Sequence, residues 1–409
     1  MIVQTTLRLL TTLCLALPLA VAAHSQEKPK EPQTPPATTL KEPVAPDIQP
    51  SAVWDGRKLV PFKALDDPKM VAANEADFLD DSDYVLGVSE GGVSKAYPTR
   101  FVWFHHVVND TIGKPGKEIP IAVTYCSVCN TGIRYNVLSH GRAIKLDFYG
   151  LYNGVVCLCE RESEGVFLQV DGRIINGPRM GTQLPFGSLL DTTWGNWKKL
   201  HPQTVVMSPD TPFQKFYSPK GKPEPRGYPA FPRGYFKPTV TRVDKRLPPF
   251  EKVLAVTLTE EGKPEAASLR RAYPVAALKE ANNAVNDTIG TTPVAVFLEP
   301  DTMTASALLR TLDGKTLTFE ARRGEGDKVA FYDKETGTRW SIEGLGEEGP
   351  LAGKILRPID NHLSQWYGWS AYFPDTTLFG STAPPMPGNP LTDLPDAPAR
   401  PAPKESKSN

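Results

Sequence analysis

The hexapeptide VNDTIG stands at residues 108–113 and recurs, letter for letter, at 285–290. Working outward from it, other stretches pair in the same order. VLGV at 85–88 matches VLAV at 253–256, and KAYP at 95–98 matches RAYP at 271–274. Beyond it, Gly141-Arg142 pairs with Gly314-Lys315, and Glu160-Arg161-Glu162-Ser163 with Asp333-Lys334-Glu335-Thr336, both at an offset of 173. Gly177-Pro178, Gly181, Trp194, Trp197 and Pro202 find Gly349-Pro350, Gly353, Trp366, Trp369 and Pro374 at an offset of 172. A repeat of this length predicts the same unit built twice.

Within each unit the local pattern is that of strands. VLGVSE, VSKAYP, IAVTYC, GIRYNVL, AIKLDFYG, VVCLCE and VFLQVDG are short, rich in β-branched and aromatic residues, and separated by Gly, Asn and Asp. Two stretches read as helix. PTRFVWFHHVVND places Pro98 as a first-turn proline, and LLDTTWGNWKKLHP has Asp191 as a capping residue with Trp194 and Trp197 on one face. NHLSQWYGWSAYFP repeats the latter. The fold class is therefore mainly β with a minor α component: two homologous sandwich- or barrel-like lobes at 54–208 and 253–383, each with short helices. Residues 209–252, rich in Pro, Gly and aromatics, are expected to pack across both.

The ends differ in kind. Residues 1–23 carry Arg8 followed by an apolar run to Ala23, with small residues before His24, which predicts a secretory signal peptide. Residues 24–53 and 384–409 are Pro-rich and read as disordered spacer and tail. No other stretch is apolar for long enough to make a membrane helix, so the expected place is extracytoplasmic, periplasmic or secreted. The 46 basic and 46 acidic residues cancel, giving no electrostatic case for a nucleic-acid partner. A protein partner in the cell envelope remains open, and the sequence names no small-molecule substrate.

The order AYP, a His near VNDT-G, VTYC-x-x-C-N-T-G, ERES, Gly-Pro and W-x-x-W-x-x-x-x-P resembles the exported bacterial family known as domain of unknown function 3179. The resemblance covers residues 65–380. It implies a secreted, β-rich protein with an internal repeat, and no established activity. The family's recurrent cysteine pair matches Cys126 and Cys129, and its recurrent histidine matches His105. Cys157 and Cys159 stand where the family usually has apolar or aromatic residues.

Features in both units are read as packing and turns; features in one unit are candidates for function. The sulfurs occur in one. At an offset of 173, Cys126 falls on Glu299, Cys129 on Thr302, Cys157 on Ala330 and Cys159 on Tyr332. Cys157 and Cys159, two apart on a strand, point to one face, and Cys126 and Cys129 bracket a turn, so four sulfurs can meet if the strands are neighbours. Three chemistries follow. One is a soft-metal or metal-cofactor site of Cys126, Cys129, Cys157 and Cys159, helped by His105, for zinc, copper or an iron–sulfur cluster. Another is a pair of disulfides, worth about 3 kcal/mol each, in a non-catalytic scaffold. The last is a thiol oxidoreductase using Cys126 and Cys129. On a helix, His105 and His106 point about 100° apart, so one of them at most reaches such a site. His140 and His201 lie by turns and read as surface. No nucleophile elbow, phosphate loop, dinucleotide fingerprint or HExxH motif is present.

Overall fold

The computed structural model describes residues 40, 43–58, 61–139, 141–222, 224, 236–259, 267–324 and 328–394. The expected signal peptide at 1–23 and residues 395–409 lie outside the described residues, as does His140.

In the first lobe, β1 (Tyr84–Glu90) and β2 (Val93–Pro98) form a hairpin closed by Gly91 and Gly92, both at positive φ, as a tight two-residue turn requires. Pro98 caps the seven-residue α1 (Thr99–His105) rather than entering it. His106 adopts the left-handed conformation (φ 57°), which ends the helix and turns the chain into strand. β3 (Val107–Ile112), β4 (Ile119–Cys126) and β5 (Thr131–Asn136) then run as an antiparallel meander. β6 (Leu146–Tyr152) and β7 (Val155–Glu160) form a second hairpin on Asn153-Gly154. β8 (Leu190–Thr193) returns to pair with β1 and leads into α2 (Trp194–Leu200). The N-cap of α2 is Thr193, whose side chain accepts from the Asn196 amide; Asp191, the expected cap, lies in β8.

The β3–β4–β5 sheet is the middle layer. One face, with Val108, Ile121, Val123 and Tyr125, packs on β1, β2, α1 and the fully buried Trp194 and Trp197. The other face, with Val107, Ala122, Cys126 and Ile133, packs on Val156 and Leu158 of β7. Period-2 alternation along β4 thus sends its odd residues one way and its even residues the other.

The second lobe presents β9 (Lys252–Leu258), β10 (Leu269–Pro274), α3 (Val275–Glu280), β11 (Ala284–Ile289), β12 (Thr292–Glu299), β13 (Thr304–Leu309), β14 (Phe319–Arg323), β15 (Val329–Asp333), β16 (Asp360–Gln365) and α4 (Trp366–Ser370), in the same order. Its pairings also correspond: Leu190 lies opposite Gly87, and His362 opposite Ala255. Residues 361–365, taken with the helix on sequence pattern, are strand.

The lobes meet reciprocally. β5 lies against β16, and β13 against β8. Thr131 donates to Ser364 Oγ at 2.9 Å, and Thr304 donates to Thr192 Oγ1 at 2.7 Å. The connecting segment packs here too: Phe236 is buried against Tyr367, and the Trp366 indole donates to the Asp244 carbonyl at 2.8 Å.

Two expectations of disorder are corrected. Ala45, Ile48, Ala52 and Val53, within the Pro-rich stretch, are buried against the outer face of the β6–β7 sheet. Val44, Ala45, Ile48, Ala52 and Val53 supply enough apolar area to dock that short arm despite the prolines between them. In the tail, Pro387–Gly388 pairs with Val243–Asp244, and Leu394 is buried.

Candidate dithiol site

Cys126 is the last residue of β4, and a four-residue turn, Ser127–Asn130, joins it to β5 with Cys126 opposite Thr131. Asn130 takes the left-handed conformation (φ 56°) that closes the turn, and its Oδ1 accepts from the Tyr125 hydroxyl at 2.7 Å. This folds Cys129 back so that its amide points at Cys126 Sγ, 3.4 Å away. Both cysteines are fully buried.

The two sulfurs have unequal surroundings. Burial alone pushes the Cys126 thiol up, but the Cys129 thiol and the backbone N–H groups of Cys129, Val156 and Val128 are aimed at its sulfur and hold it below the ordinary thiol range. Cys129 is pushed well up, first by burial, then by its hydrogen bond to Cys126 and by the charge on Cys126. The Cys126 sulfur is therefore the more readily ionised of the two.

A lid from the second lobe covers the pair. The Gln365 amide donates to the Cys129 carbonyl at 3.0 Å, and a Cβ at Gly368 would lie 3.0 Å from the Cys129 Cβ. The equivalent place in the other half of the seam holds no sulfur. Glu299 occupies the end of β12, its carboxylate accepts from Asn196 Nδ2 at 2.6 Å and Thr302 Oγ1 at 3.2 Å, and burial raises its pKa. Asn196 and Gly368 correspond by the 172 offset. A side chain that can hydrogen-bond covers the carboxylate, and a bare glycine covers the dithiol.

The other expected donors do not converge on this point. Val156 and Leu158 face the Cys126 side of β7, so Cys157 and Cys159 face the opposite side, among Tyr149, Tyr152, Val166 and Leu168 beneath the N-terminal arm. Burial pushes both thiols up, Cys159 to about 12, the setting of inert sulfurs. His105 is on the α1 side, with Nδ1 at 2.6 Å from the Lys63 carbonyl and Nε2 at 2.6 Å from the Tyr217 hydroxyl. Both ring nitrogens are engaged, and burial lowers its pKa to about 4. Among the described residues no group of three or more His, Cys, Asp or Glu side chains is placed to hold a metal ion. The four-sulfur centre with His105, and the cross-strand disulfides, are thus corrected by the alternation of β7; all four described cysteines are free thiols. His106 lies between Phe62 and Phe148, with ring centroids 4.5 and 5.0 Å away and neither ring nitrogen partnered. His201 is no surface residue. It caps Trp197 at 4.0 Å and joins Ser94 Oγ (3.0 Å) to Glu343 of the second lobe (2.8 Å).

Sequence reasoning did not single out Arg134, Glu299, Gly368 or His362 as parts of this seam. For Glu299 the signal was present, since the repeat offset laid it on Cys126.

Fold and site together define a mainly β protein with a buried cysteine pair beside the contact of β5 with β16. The chain belongs to the family described as "Protein of unknown function (DUF3179)", whose model matches residues 61–376. No curated protein and no solved structure matches it.

Proposed function

We propose that this protein is an extracytoplasmic thiol–disulfide redox protein whose reactive couple is Cys126 and Cys129. The observation that carries this reading is the asymmetry of the pair: backbone N–H groups converge on one sulfur, and the second thiol stands beside it. A thiolate is the attacking species in disulfide exchange, and a neighbouring thiol resolves the mixed disulfide. Cys126 S⁻ attacks one sulfur of a partner disulfide, an S–S bond forms to Cys126, and the partner's other sulfur leaves as a thiolate. Cys129, losing its proton to that leaving thiolate, then attacks Cys126 and frees the partner's first sulfur. The partner gains two electrons, and the protein is left with a Cys126–Cys129 disulfide, which a second dithiol must reduce. The expected leader at 1–23 supports the extracytoplasmic setting, and the repeat supports duplication of one module, with sulfur on one copy only.

Because Gly368 and β16 cover the pair, exchange proceeds through separation of the turn from α4. Cys129→Ser removes the resolving thiol, so the test is trapping. The variant is expected to accumulate mixed disulfides through Cys126, which the Cys126→Ser variant does not form. Absence of any Cys126 adduct in Cys129→Ser rejects the reading.

A second reading rests on the same N–H array. Two thiolates at a turn, with amides on the first sulfur, suit a two-coordinate soft ion such as cuprous copper. It predicts about one equivalent of copper bound by reduced protein and lost in Cys126→Ser, measured by elemental analysis.

A further inference from the structure

A second feature of the lobe seam lies apart from the sulfurs. A cavity of about 120 Å³ is enclosed by β5 and residues 186–189 of the first lobe and by Thr257, residues 358–362 and Phe373 of the second. Its apolar wall includes Ile133, Val170, Phe186 and Phe373. Its polar groups are unusual. Arg134 is 1% exposed; Nη1 donates to Glu90 at 3.1 Å and Nη2 to Asn136 at 2.7 Å, but Nε has no partner. His362 Nε2 is likewise buried and unpartnered. Unpartnered buried polar atoms are expensive and call for a reason, of which a bound ligand is one.

The surroundings are shaped to keep Arg134 there. A Cβ at Gly187 would fall 2.5 Å from the guanidinium carbon and 2.6 Å from Nε, so only glycine lets the planar group lie along that edge of the cavity. Neither polar group is duplicated: the repeat offsets put Ala307 opposite Arg134 and Leu190 opposite His362. The cavity wall also carries Ser188, Thr257, Asp360 and Asn361, and among its lining side chains Arg134 is the one guanidinium and His362 the one imidazole.

We infer that this cavity is a binding site for a small monocarboxylate with an apolar body. The carboxylate would take the free Nε–H and the second Nη2–H of Arg134 side-on, the forked geometry guanidinium offers, with His362 Nε2 on its flank. The apolar part would lie against Ile133, Val170, Phe186 and Phe373, the usual division of a small-molecule site. The inference does not depend on the redox reading, since it uses no sulfur.

Titration calorimetry at neutral pH with benzoate, propionate and the neutral isostere benzamide tests it. The expected result is saturable one-to-one binding of at least one of the acids, and at least tenfold weaker binding of benzamide. Gly187→Ala, which pushes the guanidinium aside, and Arg134→Gln are each expected to weaken acid binding roughly ten- to hundredfold. His362→Leu, which installs the residue of the corresponding strand, is expected to weaken it less. The melting temperature of each variant, with and without acid, separates lost binding from lost folding. No acid binding by the folded wild type, benzamide binding as well as benzoate, or unchanged binding in folded Gly187→Ala each overturns the inference. None of these outcomes bears on trapping through Cys126.

Discussion

At the scale of single residues, the site is defined by what is absent as much as by what is present. Gly368 lets α4 sit on Cys129, and Ala there would have to displace one or the other. Gly368→Ala gains helix propensity, about 1 kcal/mol, but overpacking costs about 1–3 kcal/mol. The expected outcome is a small net loss of stability with at least about tenfold faster labelling of native Cys126 and Cys129 by an aromatic disulfide, followed by absorbance. The outer thiols behave differently. Cys157→Ala and Cys159→Ala are expected to leave trapping through Cys126 unchanged, because those sulfurs face away across β7. That division was half legible. The i, i+2 spacing said correctly that Cys157 and Cys159 share a face. It could not say which face, because β7 is buried on both sides and its apolar run carries no alternation.

At the scale of elements, the strand segments were readable because their β-branched runs are cut by Gly, Asn and Asp. The helices were overread: FVWFHHVVND is apolar throughout, and only the left-handed turn at His106 divides helix from strand. The seam was not readable, since hydroxyls such as Thr131, Thr192, Thr304 and Ser364 are ordinary strand residues until two lobes meet. It is nonetheless where stability is tied to the site. Asn196→Ala leaves the Glu299 carboxylate without its amide donor inside the seam, an expected loss of about 1–3 kcal/mol by urea unfolding. Glu299→Gln, which removes the charge and keeps the shape, should recover part of it in the double variant.

At the scale of the whole molecule, buried imidazoles set the response to acid. Burial holds His105 and His362 near 4 and His106 near 3, against an ordinary value of 6.5. In each the folded value is depressed, so the unfolded chain takes up the proton first. Stability is therefore full above about pH 6.5 and falls as pH drops toward about 4, by up to a few kcal/mol per imidazole. Calorimetric melts are expected to show a falling transition temperature across that window. A flat profile between pH 6.5 and 4 would contradict neutral, buried histidines.

The central claim, a redox couple confined to Cys126 and Cys129, meets its most direct test in equilibration of the intact protein across thiol–disulfide buffers, acid quenching, alkylation and peptide mass mapping. The account predicts one two-electron transition in which Cys126 and Cys129 lose their alkylation together and form a mutual disulfide. Cys157 and Cys159 remain alkylated as thiols throughout. Bridges between the two pairs, or a Cys126–Cys129 pair that never oxidises at any potential tested, would contradict it.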